Sequence, residues 1–205
     1  MPLTGIALLP SANLTGRLID FQRRHADRIG GPRLGTAVNL PHVSIIQCPF
    51  SSLMPAEAIL QEIVSVAAWD PRTVMTDFGY QPVGWLFAHV AREPWMFGLQ
   101  EVCRARTEAY LAADEIDRSK DFSGYTPLEK QQYLSTGYRY MGEPYAPHFT
   151  VGRTLGDACA ADPVMARDYR ESLEGTPVVF DRIAVYRAGE HGAFAQALAV
   201  LPLPA

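Results

Sequence analysis

Two short segments carry the same reactive residue types in the same order: Pro41-His42-Val43-Ser44-Ile45 and Pro147-His148-Phe149-Thr150-Val151. In an extended chain, residues i and i+2 share a face, roughly 6.6 Å apart along the strand. His42 is thereby grouped with Ser44 and His148 with Thr150, while Val43, Ile45, Phe149 and Val151 turn toward a core. One His-x-Ser would mean almost nothing. Two matched copies 106 positions apart (148 − 42), about half of a 205-residue chain, are much harder to dismiss. If a pseudo-two-fold axis relates the halves, both pairs converge on one cleft suited to phosphoryl chemistry. An imidazole with an ordinary pKa near 6.5 can remove a proton from an attacking oxygen or supply one to a leaving oxygen. The two hydroxyls can donate to the non-bridging phosphate oxygens as charge builds there. His25, His89 and His191 have no comparable context and read as structural or surface residues.

The elements that must position these residues follow from periodicity. A strand is expected at about 4–9, then a helix at about 14–29 with Leu14, Leu18, Phe21 and Ile29 on its apolar stripe. Gly30-Gly31-Pro32 stops that helix, and a strand runs from about 36 to 48. A helix follows at about 55–68, then strands at about 73–80 and 84–91 on either side of Gln81-Pro82-Val83, then a helix at about 95–113. Residues 114–125 read as a polar connection, a lid or merely a link. Thr126-Pro127-Leu128-Glu129 is a capping-box helix start, and that helix ends near Gly137. A strand at about 146–153 and a helix from Asp162-Pro163 to Gly175 come next. Strands near 178–187 and 193–201 close the chain around a turn at Gly189 to Gly192. In each half a histidine motif, a helix and two strands succeed one another, so internal duplication is the economical reading. No linker is visible, and one two-lobed domain over residues 1–205 is expected.

Composition narrows the function class. Hydrophobic residues make up 48% and charged residues 20%, as in an ordinary globular protein and unlike a disordered one. No apolar run reaches the roughly 18–20 residues of a membrane span, so no membrane partner is expected. The apolar start, Ile6 to Leu9, has no basic residues ahead of it and reads as a strand, not a signal peptide. Cys48, Cys103 and Cys159 are few and scattered, which suggests neither a disulfide framework nor a zinc ribbon, and a reducing cytoplasm is the simplest location. A formal charge of −4 argues against coating long nucleic acid, though not against an RNA end or a small phosphorylated ligand. The basic stretch Arg17, Arg23, Arg24, Arg28 and Arg33 reads as a solvated helix face. No P-loop, Gly-x-Ser-x-Gly elbow, His-Glu-x-x-His or paired Cys-x-x-Cys is present. No cofactor is expected. A metal held by the histidines is the weaker alternative, because no acidic or cysteine ligand stands at helpful spacing.

The paired motifs, the half-repeat and the ending from Val178 to Leu201 resemble the 2H phosphoesterase superfamily, the group of the bacterial 2′-5′ RNA ligase-like proteins (RNA 2′,3′-cyclic phosphodiesterases). That family's signature is two His-x-Thr/Ser-x motifs, matched here by His42-Val43-Ser44-Ile45 and His148-Phe149-Thr150-Val151. The stretch from Gly137-Tyr138-Arg139-Tyr140 to Gly152-Arg153 is the most similar. The resemblance implies an α/β (α+β) bilobal, LigT-like fold with the motifs in a central groove and no metal requirement. It implies a cyclic phosphodiesterase with catalytic His42 and His148 and with Ser44 and Thr150 on the phosphate. The substrate is then a nucleotide 2′,3′-cyclic phosphate, an RNA end or a small phosphodiester, and a monomer is expected. Arg153 is a candidate phosphate contact, although strict alternation puts it opposite His148. Tyr138, Tyr140 and Tyr186 are candidates to stack on a base or line the groove. A nucleotide-binding module on the same scaffold, and an enzyme acting on another phosphodiester or a phosphonate-related metabolite, are the alternatives.

Overall fold

The computed structural model describes residues 3–80, 84–155 and 162–204; Gln81-Pro82-Val83 and Cys159 lie outside them. The described chain runs β1 (Thr4–Pro10), α1 (Ala12–Arg24), β2 (Ile29–Gly30), β3 (Val43–Cys48), α2 (Ala56–Val66), β4 (Arg72–Tyr80), β5 (Trp85–Val90), α3 (Pro94–Thr107), α4 (Pro127–Thr136), β6 (His148–Thr154), α5 (Pro163–Ser172), β7 (Pro177–Ala188) and β8 (Phe194–Pro202). This is an α+β protein, as expected.

Every strand pairing is antiparallel, in the order β1-β3-β6-β5-β4-β7-β8, with β2 on β6. The start of β7 pairs with β4 (Val74↔Pro177), and the rest pairs with β1 and β8. One group of strands (β3, β1, β7, β8) thus meets a second (β6, β5, β4, β2). Between β3 and β6 the ladder has a single position, Val43↔Phe149. The halves of the sequence are interleaved and do not form one lobe each. β6 of the second half pairs with β5 of the first, and β3 reaches β7 and β8 through β1.

The half-repeat is visible in the spacing. From His42 to α2 is 56 − 42 = 14 residues and to β4 is 72 − 42 = 30; from His148 to α5 is 163 − 148 = 15 and to β7 is 177 − 148 = 29. Val43, Ile45, Phe149 and Val151 are fully buried in the core that the helices cover, as alternation required. That leaves the opposite face of both motif strands for the groove.

Four boundaries differ from expectation. The strand expected from about 36 begins only at Val43, because Asn39 is left-handed (φ 51) and Pro41 has no N–H for a ladder. The helix expected to 29 ends at Arg24, where His25 turns inward to Asp168 (2.7 Å) and Ile29 joins β6 instead. The helix expected to 113 ends at Thr107, whose Oγ1 donates to Cys103 O (2.8 Å); the chain then tightens into a short 3₁₀ turn at Glu108–Tyr110. The helix expected to close at Gly175 has its last residue at Ser172. The capping box at Thr126 and Glu129 is formed, and Gly137 ends α4 in the left-handed conformation (φ 81). Of the basic residues of α1, Arg23 pairs with Asp20 and Arg24 with Asp168, while Arg17 donates to Ser172 O and to Thr176 Oγ1.

Candidate active site

Both histidines follow a proline, and both use that geometry identically. The Nδ1 of His42 lies 2.8 Å from Leu40 O, and the Nδ1 of His148 lies 2.6 Å from Ala146 O. A carbonyl only accepts, so each Nδ1 carries a proton and each neutral ring keeps its lone pair on Nε2. The antiparallel register Val43↔Phe149, continued one step each way, sets His42 opposite Thr150 and His148 opposite Ser44. His42 thereby comes beside the hydroxyl-bearing Thr150 of the other motif. His42 and Thr150 line one recess together, with Asn39 and Phe194 on its wall.

The surroundings of the two imidazoles differ. His42 packs edge-on against Tyr186 (4.9 Å between centroids) and Phe194 (5.5 Å). Tyr186 is fully buried, stacked on Phe194 at 4.6 Å, and rests over Gly5, where any Cβ would come within 2.3 Å of the ring. It is not an open platform for a base. Instead, Gln47 Nε2 donates to the Tyr186 hydroxyl (2.9 Å), which lies 3.0 Å from Ser44 Oγ. An amide nitrogen only donates, so the tyrosine proton is left for Ser44, and Ser44 keeps its own proton for the groove. Burial raises the Tyr186 pKa to about 12, so the phenol stays protonated for this task. Tyr186→Phe removes the donor while leaving the ring. The expected outcome is a protein of unchanged fold, read by circular dichroism, that is less stable to urea by about 1 kcal/mol, the weight of one hydrogen bond.

His148 lies against Phe87 (3.9 Å), Tyr140 (5.7 Å) and His89 (5.7 Å). His89 is its direct cross-strand partner on β5. The histidine read as structural thus stands beside the second motif, a proximity that only the β5–β6 register creates. Arg139, also unassigned by sequence, stacks on Tyr140 at 4.4 Å, bonds its hydroxyl and pairs with Glu129 at 3.7 Å. Its charge and that of His89 both oppose protonation of His148. Burial lowers the His42 pKa to about 4 and the His148 pKa to about 3.

The other candidates divide. Tyr138 is half-buried, its ring 5.8 Å from Tyr140, and its hydroxyl is held well above the ordinary tyrosine range by burial and by the neighbouring Tyr145 and Tyr186 hydroxyls. Arg153 is exposed, with its guanidinium 6.0 Å from the Trp85 ring. A register shift on the β5 partner, between Leu86 and Phe87, interrupts the alternation that had set Arg153 opposite His148. Among the described residues, no group of three or more His, Cys, Asp or Glu side chains is placed to hold a metal ion. No described helix is long and apolar enough to cross a membrane.

Two buried glutamines complete the frame. Gln22 of α1 donates to Val151 O (2.6 Å) and Pro32 O (2.8 Å) and accepts from Leu34 N (2.8 Å). Gln100 of α3 donates to Ile45 O (2.8 Å) and Tyr140 O (2.9 Å) and accepts from Gly142 N (2.7 Å). Ile45 and Val151 are each three residues past their histidine. Each glutamine therefore ties one motif strand to the loop that leads into the other motif.

No family model matches the chain, and no curated protein matches it. Solved structures do. E. coli LigT complexed with phosphate aligns at TM-score 0.56 and 12% identity, over 100% of this chain and 98% of that one. E. coli LigT complexed with 3′-AMP aligns at TM-score 0.55 and 13% identity over 100% of both chains. A structure described as a phosphoesterase aligns at TM-score 0.57 and 12% identity, again over 100% of both. At such identities the likeness is one of architecture: from end to end, this chain has the LigT fold.

Proposed function

We propose that the protein is a phosphoesterase of the two-histidine type, hydrolysing a nucleoside 2′,3′-cyclic phosphate or a related phosphodiester without a metal, with one unit over residues 1–205 carrying the site. The observation that carries this is the matched pair of imidazoles, each with Nδ1–H fixed on the carbonyl two residues back and Nε2 left for chemistry. The LigT fold, in a protein whose structures hold phosphate and 3′-AMP, adds support for a groove of this kind binding a nucleotide phosphate.

On this reading a neutral Nε2 takes a proton from water as its oxygen bonds to phosphorus. The other histidine, protonated, delivers its proton to the ribose oxygen as the P–O bond breaks, leaving a phosphomonoester and a free hydroxyl. Ser44 and Thr150 donate to the non-bridging oxygens. Both rings have aromatic neighbours, but burial, His89, His42 and Arg139 all oppose protonation of His148, whereas only burial opposes that of His42, so His148 is the base and His42 the acid.

The assay is hydrolysis of 2′,3′-cyclic nucleotides in the presence of EDTA. Turnover supports the proposal. Tight binding without turnover favours the nucleotide-binding module, and activity abolished by EDTA moves the reading to a metal enzyme.

A pH dependence follows. At pH 7 both imidazoles of the free protein are neutral, and the protonated acid form grows as pH falls toward about 4, the value for His42. kcat/KM is therefore expected to climb from pH 8 to pH 5. Stability moves the other way. Between the unfolded value near 6.5 and the folded values of about 4 and about 3, the unfolded chain binds protons that the folded one refuses, so acidification destabilises. Thermal melts across pH 7 to 4 check this, since a His42→Asn, His148→Asn double variant should lose part of the slope.

A further inference from the structure

Beside His148 the groove opens into a cleft of about 440 Å³. Its floor is the β4–β5 hairpin, with Gly79, Tyr80, Phe87 and His89; its roof is the segment before β6, with Tyr140 and Glu143, and the start of α4. Phe87, His89 and Tyr140 each also touch the His148 ring, so the cleft begins one ring away from the proposed chemistry. Aromatic faces and carboxylates line it, with no lysine or arginine among the described lining residues. The N-terminus of α4 faces this cleft but is not an anion site. Thr126 N is bonded by Glu129 Oε2 (2.8 Å) and Glu129 N by Thr126 Oγ1 (3.2 Å), and Pro127 has no N–H to offer. A second phosphate would meet carboxylates there. A flat, uncharged ring would meet aromatic surfaces and a histidine.

His89 is placed for such a ring. It is half-buried, and among the described residues its imidazole makes no hydrogen bond. The ring leans over Gly79, where a Cβ would come within 2.3 Å of Nε2; glycine at 79 leaves the space that the imidazole occupies.

We propose that this cleft is a nucleobase subsite and that His89 is its specificity-determining contact, hydrogen-bonding the edge of a base that stacks on the aromatic lining. The inference rests on the phosphodiesterase reading, to which it adds the part of the substrate that confers selectivity.

The test compares a nucleoside 2′,3′-cyclic phosphate with ethylene phosphate, the bare five-membered cyclic diester, for wild type, His89→Ala, His89→Gln and Gly79→Ala. The ratio of the two kcat/KM values measures the contribution of the base. In His89→Ala that ratio should fall about tenfold, mainly through KM, as expected for one lost hydrogen bond. His89→Gln, which keeps a donor and an acceptor, should recover part of it. Gly79→Ala keeps the histidine and displaces its ring, so it should reproduce the loss. A ratio unchanged in all three variants, or both substrates declining in parallel, would overturn the subsite. If the wild type turns over neither substrate, the function proposed above fails, and binding decides the subsite separately. A nucleoside 3′-monophosphate should then bind more tightly than inorganic phosphate by a margin that His89→Ala reduces, and an equal margin in wild type and variant refutes it.

Discussion

Replacing either His42 or His148 by alanine is expected to lower the hydrolysis of a 2′,3′-cyclic nucleotide by about 10²–10⁴-fold while leaving the fold in place, because acid–base assistance carries that weight per group. The two losses should not multiply. Once one imidazole is gone, the other has no concerted partner, and the double variant should sit close to the worse single one. The two variants should also differ in kind. With His42 as the acid, His42→Ala should be least damaging on a diester whose leaving group needs no proton, such as a p-nitrophenyl ester; His148→Ala should be equally damaging on both substrates. Kinetics on the two substrate types read this directly, and activity untouched by either replacement would end the two-histidine proposal. The half-buried imidazoles pack against aromatic rings, so urea unfolding of each variant accompanies the kinetics.

The second large effect concerns stability. Gln22→Leu and Gln100→Leu are each expected to destabilise the protein by about 2–3 kcal/mol, because each removes three hydrogen bonds of a buried side chain, two to carbonyls and one from an amide, the strand carbonyl being deeply buried. The midpoint of urea unfolding should drop at an unchanged m-value. Gln61 on α2 is the control: it is exposed and reaches only Glu57, at 3.5 Å, so Gln61→Leu should stay within about 0.5 kcal/mol. Turnover should fall in both brace variants even where the protein remains folded, since Gln22 and Gln100 join each motif strand to the approach to the other histidine.

Much of this arrangement was legible in the sequence, for identifiable reasons. The alternation around His42 and His148 placed Val43, Ile45, Phe149 and Val151 in the core, because a two-residue period is a local property of an extended chain. The half-repeat located α5 and β7 from α2 and β4. What escaped was long-range. His89 meets His148 only through the β5–β6 register, across 148 − 89 = 59 residues that carry no local mark of it. Gln22 and Gln100 did leave a trace, each being a polar residue beside an apolar stripe, Leu18 and Phe21 in one helix and Met96 and Leu99 in the other. Their carbonyl partners lie in other elements, so the trace names a buried amide without saying what it holds. The short β3 escaped for the opposite reason: Thr36 to Leu40 has strand-like residue types, but the single left-handed Asn39 and Pro41 outweigh them.

Strand β7 gives the groove its mechanical character. Its twelve residues, on the order of 40 Å of extended chain, begin beside β4 in one wall and end between β1 and β8 in the other. Two walls carried by one continuous strand have no hinge between them. The groove acts as a fixed jig that receives a ligand without first closing on it, so the ordering penalty of a clamshell is absent. The 31–42 and 138–147 approaches at its rim belong to the same rigid frame, held by Gln22 and Gln100 and carrying the Leu40 and Ala146 carbonyls that orient the two imidazoles.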